Sequence, residues 1–120
     1  MADVLEKIAA MEASNTVLTP AEPGQWAGKE GKHTPQLTIA DGKASVIVPH
    51  GMSDDHYIEF VYLKNAAGEI VAANMFEVGS LKDVKQGNLT MDSVEDQTEL
   101  TPFAYCNDHG LWKGDTVAVA

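Results

Sequence analysis

The sequence has a single cysteine, no arginine and no long apolar run. A lone cysteine cannot close an internal disulfide, so a disulfide framework is excluded and a reducing, cytoplasmic setting is expected. The basic residues number 8, all lysines, against 18 acidic ones, for a net charge of −10. Such a surface repels a phosphate backbone, which excludes nucleic acid as a partner and disfavours an anionic membrane for the same reason. No stretch approaches the roughly 20 apolar residues of a membrane span. The opening "MADVLEKIAAMEASN" lacks a basic region followed by a long apolar one, so no secretory signal is expected.

What is present is ordinary for a folded chain: 120 residues, 44% apolar and 22% charged. That length suits one domain with a real core. Residues 3–14 read as a short helix, with Asp3 and Glu6 at capping-box spacing and Val4, Leu5, Ile8 and Met11 on one side. Its expected role is packing, against the domain or against another subunit. Residues 1–18 are thus an N-terminal helical extension, and 19–120 a single domain. The domain opens on "TPAEPGQWAGKEGKHTP", whose prolines and glycines predict a loop or irregular arm.

Beyond the arm the pattern changes to short, β-branched, alternating runs. "QLTIA" and "ASVIVPH" flank Asp41-Gly42, a hairpin signal. "HYIEFVYLK", "IVAANMF", "NLTMDSV", "TELTPFAYC" and "DTVAVA" follow. About seven short strands with turns between them predict an all-β fold, an antiparallel sandwich of immunoglobulin type.

Every histidine stands at a strand edge or in the adjoining loop: His33 in "GKHTP", His50 in "VIVPHGM", His56 in "DDHYIEF" and His109 in "AYCNDHG". Cys106 shares the last segment. Loops at one end of a sandwich can bring all five together. Strand alternation puts His56 on the face of Ile58, Phe60 and Tyr62, where an imidazole needs hydrogen-bond partners or a metal. Taken singly, a histidine is more often a satisfied polar residue than a ligand, and a cysteine more often a small buried hydrophobe. Taken together, the five suggest a metal. Four imidazoles and a thiolate are one ligand too many for structural zinc. Blue copper would use two histidines, a cysteine and an axial Met52 or Met91, leaving two histidines over. Iron accepts five such ligands and can keep a sixth position open.

"KHTP", "VPHGMSDDHYIEF" and "YCNDHGLWKG" resemble the iron-binding segments of superoxide reductase, the desulfoferrodoxin and neelaredoxin family. The likeness runs from about Gln25 to Val119. It implies a seven-stranded immunoglobulin-like sandwich and one iron ion, Fe2+ or Fe3+, per chain. It implies equatorial ligands His33, His50 and His56 through Nε2 and His109 through Nδ1, with the Cys106 thiolate axial. With no cysteine before Cys106, the chain resembles the one-iron, neelaredoxin-like type. The activity implied is one-electron reduction of superoxide to hydrogen peroxide at an open sixth position, with a rubredoxin-type donor and a dimer or tetramer. Lys32 keeps the lysine that attracts superoxide and supplies a proton. Many members carry glutamate two residues before the first histidine; Gly31 stands there instead, and Glu30, one place further back, is the candidate sixth ligand of the oxidised state. The rivals are a cupredoxin-like electron-transfer protein without superoxide turnover, and a binding module whose histidines are incidental.

Overall fold

The computed structural model describes residues 2–119, with side chains from residue 3. Helix α1 (Ala2–Ala13) leads into a two-residue strand, β1 (Val17–Leu18). The arm then holds a turn of 3-10 helix at Gly24–Trp26 and one helical turn, α2 (Glu30–His33). It is therefore less irregular than expected. A single turn, closed by Thr34 N–H donating to the Glu30 carbonyl at 3.1 Å, is too short to leave a periodicity in the sequence.

Two sheets follow, packed as a sandwich. The smaller has the order β2 (Gln36–Ala40), β3 (Lys43–Val48), β6 (Gly87–Met91), all antiparallel. The larger has the order β1, β8 (Gly110–Lys113), β7 (Glu99–Cys106), β4 (Ile58–Asn65), β5 (Ile70–Met75), with β9 (Val117–Ala118) also paired to β7. All seven expected segments contain a strand. The last shrinks to β9, and its Ala120 lies outside the described residues. β1 and β8 were not expected. "GLWK" becomes a strand because Gly110, at φ 86°, turns the chain back so that Cys106 pairs Gly110 and Tyr105 pairs Leu111. At the β2–β3 hairpin Asp41 and Gly42 both take positive φ, 54° and 77°, the two-residue turn the sequence signals.

Strand β4 is buried on both faces, and a bulge explains how. Ile58 pairs Cys106 but Phe60 pairs Tyr105, so Glu59 is an extra residue. Ile58, Val61 and Leu63 enter the core between the sheets, with Val46, Val48, Leu89, Leu100 and Cys106. Phe60 and Tyr62 point outward, where Ile8 and Met11 of α1 cover them together with Phe103 and Leu111. The expectation of a common face for His56, Ile58, Phe60 and Tyr62 is thus corrected: the bulge moves Phe60 and Tyr62 to the opposite face. Helix α1 packs on its own domain, anchored by Tyr62 O–H donating to the Glu12 carboxylate at 2.6 Å and by a Lys64–Glu12 ion pair at 2.9 Å. No helix among the described residues is long and apolar enough to cross a membrane.

Candidate metal centre

The strand registers place the five candidates at one end of the sandwich. Gln36 pairs Ile47, so the start of β2 and the end of β3 are neighbours; His33 precedes one and His50 follows the other. Ile58 pairs Cys106, so the start of β4, with His56 just before it, meets the end of β7. His109 lies in the tight turn from β7 to β8. The centre therefore straddles both sheets.

One ligating atom from each of His33, His50, His56, Cys106 and His109 lies within 4.8 Å of all the others. Donors about 2.0 to 2.4 Å from a common ion would show spacings of this order. The imidazoles run around a ring. Centroid distances are 4.5 Å for His33–His50, 4.4 Å for His50–His56, 4.7 Å for His56–His109 and 4.9 Å for His33–His109. The His33–His56 diagonal is longer, at 6.2 Å. The nitrogens that face inward are His50 Nε2, 3.1 Å from His56 Nε2, which is 2.9 Å from His109 Nδ1. The Cys106 sulfur is 3.8 Å from both His50 Nε2 and His109 Nδ1.

Outward contacts fix two tautomers. His33 Nδ1–H donates to the Lys29 carbonyl at 2.8 Å, and His50 Nδ1–H donates to the Gly51 carbonyl at 2.5 Å. Their Nε2 atoms are then bare lone pairs, and His33 Nε2 is buried without a hydrogen-bond partner. Such an orphan in a buried site is costly unless a cation takes it up. Protons are poor candidates for that cation. Burial, partly offset by the Lys29 carbonyl, lowers the His33 pKa from 6.5 to about 4. Burial lowers His50 and His109 too, and neighbouring imidazoles add to the effect in both. Mutually close, neutral imidazole nitrogens beside a thiol are a donor set for a transition metal, and they fit iron.

Cys106 is fully buried in the inter-sheet core. Burial raises its thiol pKa, while N–H groups of Asp108 and His109 donate to the sulfur and lower it. On the other side of the imidazole ring lies a cavity of about 690 Å³, lined by all four histidines with Gly28, Lys29, Gly31, Lys32, Gly51, Met52 and Ser53. Cys106 is not in that lining, so sulfur and cavity are on opposite sides.

The other candidates divide. Lys32 lines the cavity, whereas Glu30 does not; its carboxylate accepts the Gly28 N–H at 3.0 Å. Met52 sulfur accepts the Ile58 N–H at 3.4 Å. Met91 pairs Ala44, at the end of β3 remote from Val48 and the centre. Met91 is thus too remote to be a copper ligand, whereas Met52 lines the cavity with its sulfur engaged by that N–H.

Several supporting residues escaped the sequence reading. Asn107 ties two ligand segments, accepting the Tyr57 N–H at 2.9 Å and donating to the Asp55 carbonyl at 3.0 Å. Trp112 Nε1–H donates to the His109 carbonyl at 2.8 Å, and Trp26 meets the His109 ring edge-on at 4.7 Å. Gly114 abuts the Pro35 carbonyl, which a Cβ would overlap. Lys29 lines the cavity and lies one helical turn before His33, a spacing that could have flagged it.

A family profile described as Desulfoferrodoxin matches residues 25–115. A desulfoferrodoxin from Clostridium acetobutylicum is 31% identical over 87 residues, covering 70% of this chain and 62% of the relative. The chain thus spans under two thirds of that relative's length. The superoxide reductase of Treponema pallidum superposes with a TM-score of 0.59 at 30% identity, over 74% of this chain and 69% of that one. The neelaredoxin of Ignicoccus hospitalis shares the fold, with a TM-score of 0.61 at 21% identity, over 87% of this chain and 95% of that one.

Proposed function

The chain belongs to the desulfoferrodoxin family, and on that premise we propose that it is an iron superoxide reductase: superoxide, one electron and two protons give hydrogen peroxide. The observation that carries the reading is the ring of inward-facing imidazoles, with buried His33 Nε2 unpartnered, a thiol on one side and an open cavity on the other.

Five residues hold the metal in this proposal: His33, His50 and His56 through Nε2, His109 through Nδ1 and Cys106 through sulfur. Iron held by these residues would supply the one-electron couple for reducing a small oxygen anion. The protein's own groups prepare that chemistry. The Lys29 and Gly51 carbonyls hold two imidazoles in the tautomer that points a lone pair inward. The Asp108 and His109 N–H groups stabilise negative charge on sulfur and so offset part of the burial that favours the thiol. Lys32 draws the anion into the cavity and orders a water there that delivers a proton. Glu30 can act as a sixth ligand of the oxidised state only by releasing the Gly28 N–H. The electron comes from a rubredoxin-type donor, and the chain works as a dimer or tetramer on an immunoglobulin-like sandwich.

Anaerobic pulse radiolysis of the iron-loaded, reduced protein tests the reading. The expected result is bimolecular loss of superoxide with oxidation of one iron per chain and a visible thiolate-to-iron band. Cys106→Ser should remove that band. Superoxide decaying at its spontaneous rate would overturn the activity, and a band that survives in Cys106→Ser would overturn Cys106 as a ligand.

A further inference from the structure

Two lysines, not one, face the cavity. Lys29 and Lys32 both line it, both are exposed, and no aspartate or glutamate is among the lining residues. That is notable in a chain carrying 18 acidic residues. Among the described residues, the one ion pair is Lys64–Glu12, so neither cavity lysine is neutralised by a carboxylate. The nearest candidate, Glu30 between them in sequence, is turned onto the Gly28 N–H. Both lysines stand close to His33 in the chain: Lys29 immediately precedes the helical turn that carries His33, and Lys32 lies within it.

We infer that Lys29 is a second anion-binding residue at the cavity, so that Lys29 and Lys32 together form a two-cation clamp for a small monovalent anion above the imidazole ring. This rests on the superoxide reductase reading for the identity of the physiological anion, but not for the existence of the anion site. Two ammonium groups without a carboxylate partner concentrate positive potential at the cavity. Asp108, next to His109 in the chain, is the carboxylate whose charge also reaches the ring, while those farther away are screened beyond roughly 8 Å at physiological salt. The clamp is tied to the backbone as well: the Lys29 carbonyl holds His33, and Lys29 itself lines the cavity. Substitution of the side chain leaves that carbonyl in place, so charge and ligand positioning are separable.

The test uses the full, iron-loaded chain as wild type, Lys29→Ala, Lys29→Gln, Lys29→Arg, Lys32→Ala and the double alanine variant. One arm measures the superoxide rate constant against ionic strength. The other titrates the oxidised centre with azide, followed by its absorption band. At low salt, Lys29→Ala and Lys29→Gln should each slow superoxide by about two- to fivefold and weaken azide binding by a similar factor. Both should flatten the salt dependence, Lys29→Arg should retain wild-type values, and the double variant should be slowest and least salt-dependent. Lys29 variants matching wild type in rate, salt slope and azide affinity would overturn the inference. Loss of iron from both Lys29→Ala and Lys29→Gln would overturn it too, making Lys29 a structural residue. If wild type ignores superoxide yet azide binding still weakens in the Lys29 variants, the clamp stands and the activity reading fails.

Discussion

The two halves of the centre are held in different ways. His50, His56, Cys106 and His109 stand at the ends of β3, β4 and β7, where ladder pairing fixes the backbone on each side. His33, with Lys29 and Lys32, rides on the arm between β1 and β2. The contact from His33 to the Lys29 carbonyl lies within the arm itself. What joins the arm to the sandwich near the centre is Pro35 against Gly114, the His33 ring 5.9 Å from Trp112, and Trp26 against His109. Segments with few inter-element hydrogen bonds open at lower free energy than a strand ladder. Four of the proposed ligands are thus preorganised by the fold, whereas the fifth depends on a small docking surface.

The strongest way to break that contrast is at Gly114. A Cβ there would overlap the Pro35 carbonyl and sit 3.0 Å from Pro102 Cγ. Neither is a flexible tip, so the arm must move. Gly114→Ala should cost about 3 kcal/mol or more of unfolding free energy and lower the iron bound per chain. Gly31→Ala is the control. It lies in the arm with nothing within 4 Å of its would-be Cβ, and inside a helical turn the change should be neutral or stabilising by up to about 1 kcal/mol. Denaturant titration with metal analysis reads both; an unaffected Gly114→Ala would mean that the arm is not docked through this contact.

The same division decides what was legible in the sequence. Period-two alternation gave every long strand, and Asp41-Gly42 gave its hairpin, because both signals are local. The histidines at strand edges suggested a common end, since antiparallel pairing brings alternate strand ends together. Three things were hidden. The β4 bulge depends on the pairing of Cys106 with Ile58, and so no rule internal to "HYIEFVYLK" reveals it. Strands β1 and β8 are too short for alternation: β8 exists through the Gly110 turn and its antiparallel pairing with β7, and β1 through its parallel pairing with β8. On the arm, the spacing of Lys29, Glu30 and Lys32 from His33 was plain, but which side chains face the cavity depends on one helical turn. That turn sends Lys29 and Lys32 to the cavity and Glu30 to Gly28.

Acid acts on the arm at His33. Its pKa is lowered to about 4 by burial, from an ordinary 6.5. The folded, metal-free chain therefore binds fewer protons than the unfolded chain between those values. The neutral imidazole's share of stability is intact above pH 6.5 and is lost progressively as pH falls towards 4. One group shifted this far corresponds to about 3 kcal/mol at the limit. Metal-free wild type should lose about 2 to 3 kcal/mol more than His33→Gln between pH 7 and 4, by denaturant titration. Amide exchange should show residues 29–35 released first. Parallel curves for the two proteins would remove His33 as an acid-sensitive point of the arm.

The smallest expected effect falls in the other half. Asn107 uses both ends of its side-chain amide to join the segment before β4 to the segment after β7, while its own N–H donates to the Tyr57 carbonyl at 3.1 Å. Asn107→Ala removes the two side-chain bonds and keeps the backbone one. These bonds are exposed, so water replaces part of each, and the cost should be about 1 to 2 kcal/mol. Because ladder pairing still aligns Ile58 with Cys106, iron stoichiometry should stay near wild type. What should change is the iron dissociation rate, read by chelator competition, since His56 and His109 lose the amide that couples their loops. Amide exchange over residues 29–35 should not change. If Asn107→Ala instead frees the arm as readily as Gly114→Ala, the two halves form one cooperative unit and the contrast between ladder-held and docked ligands fails.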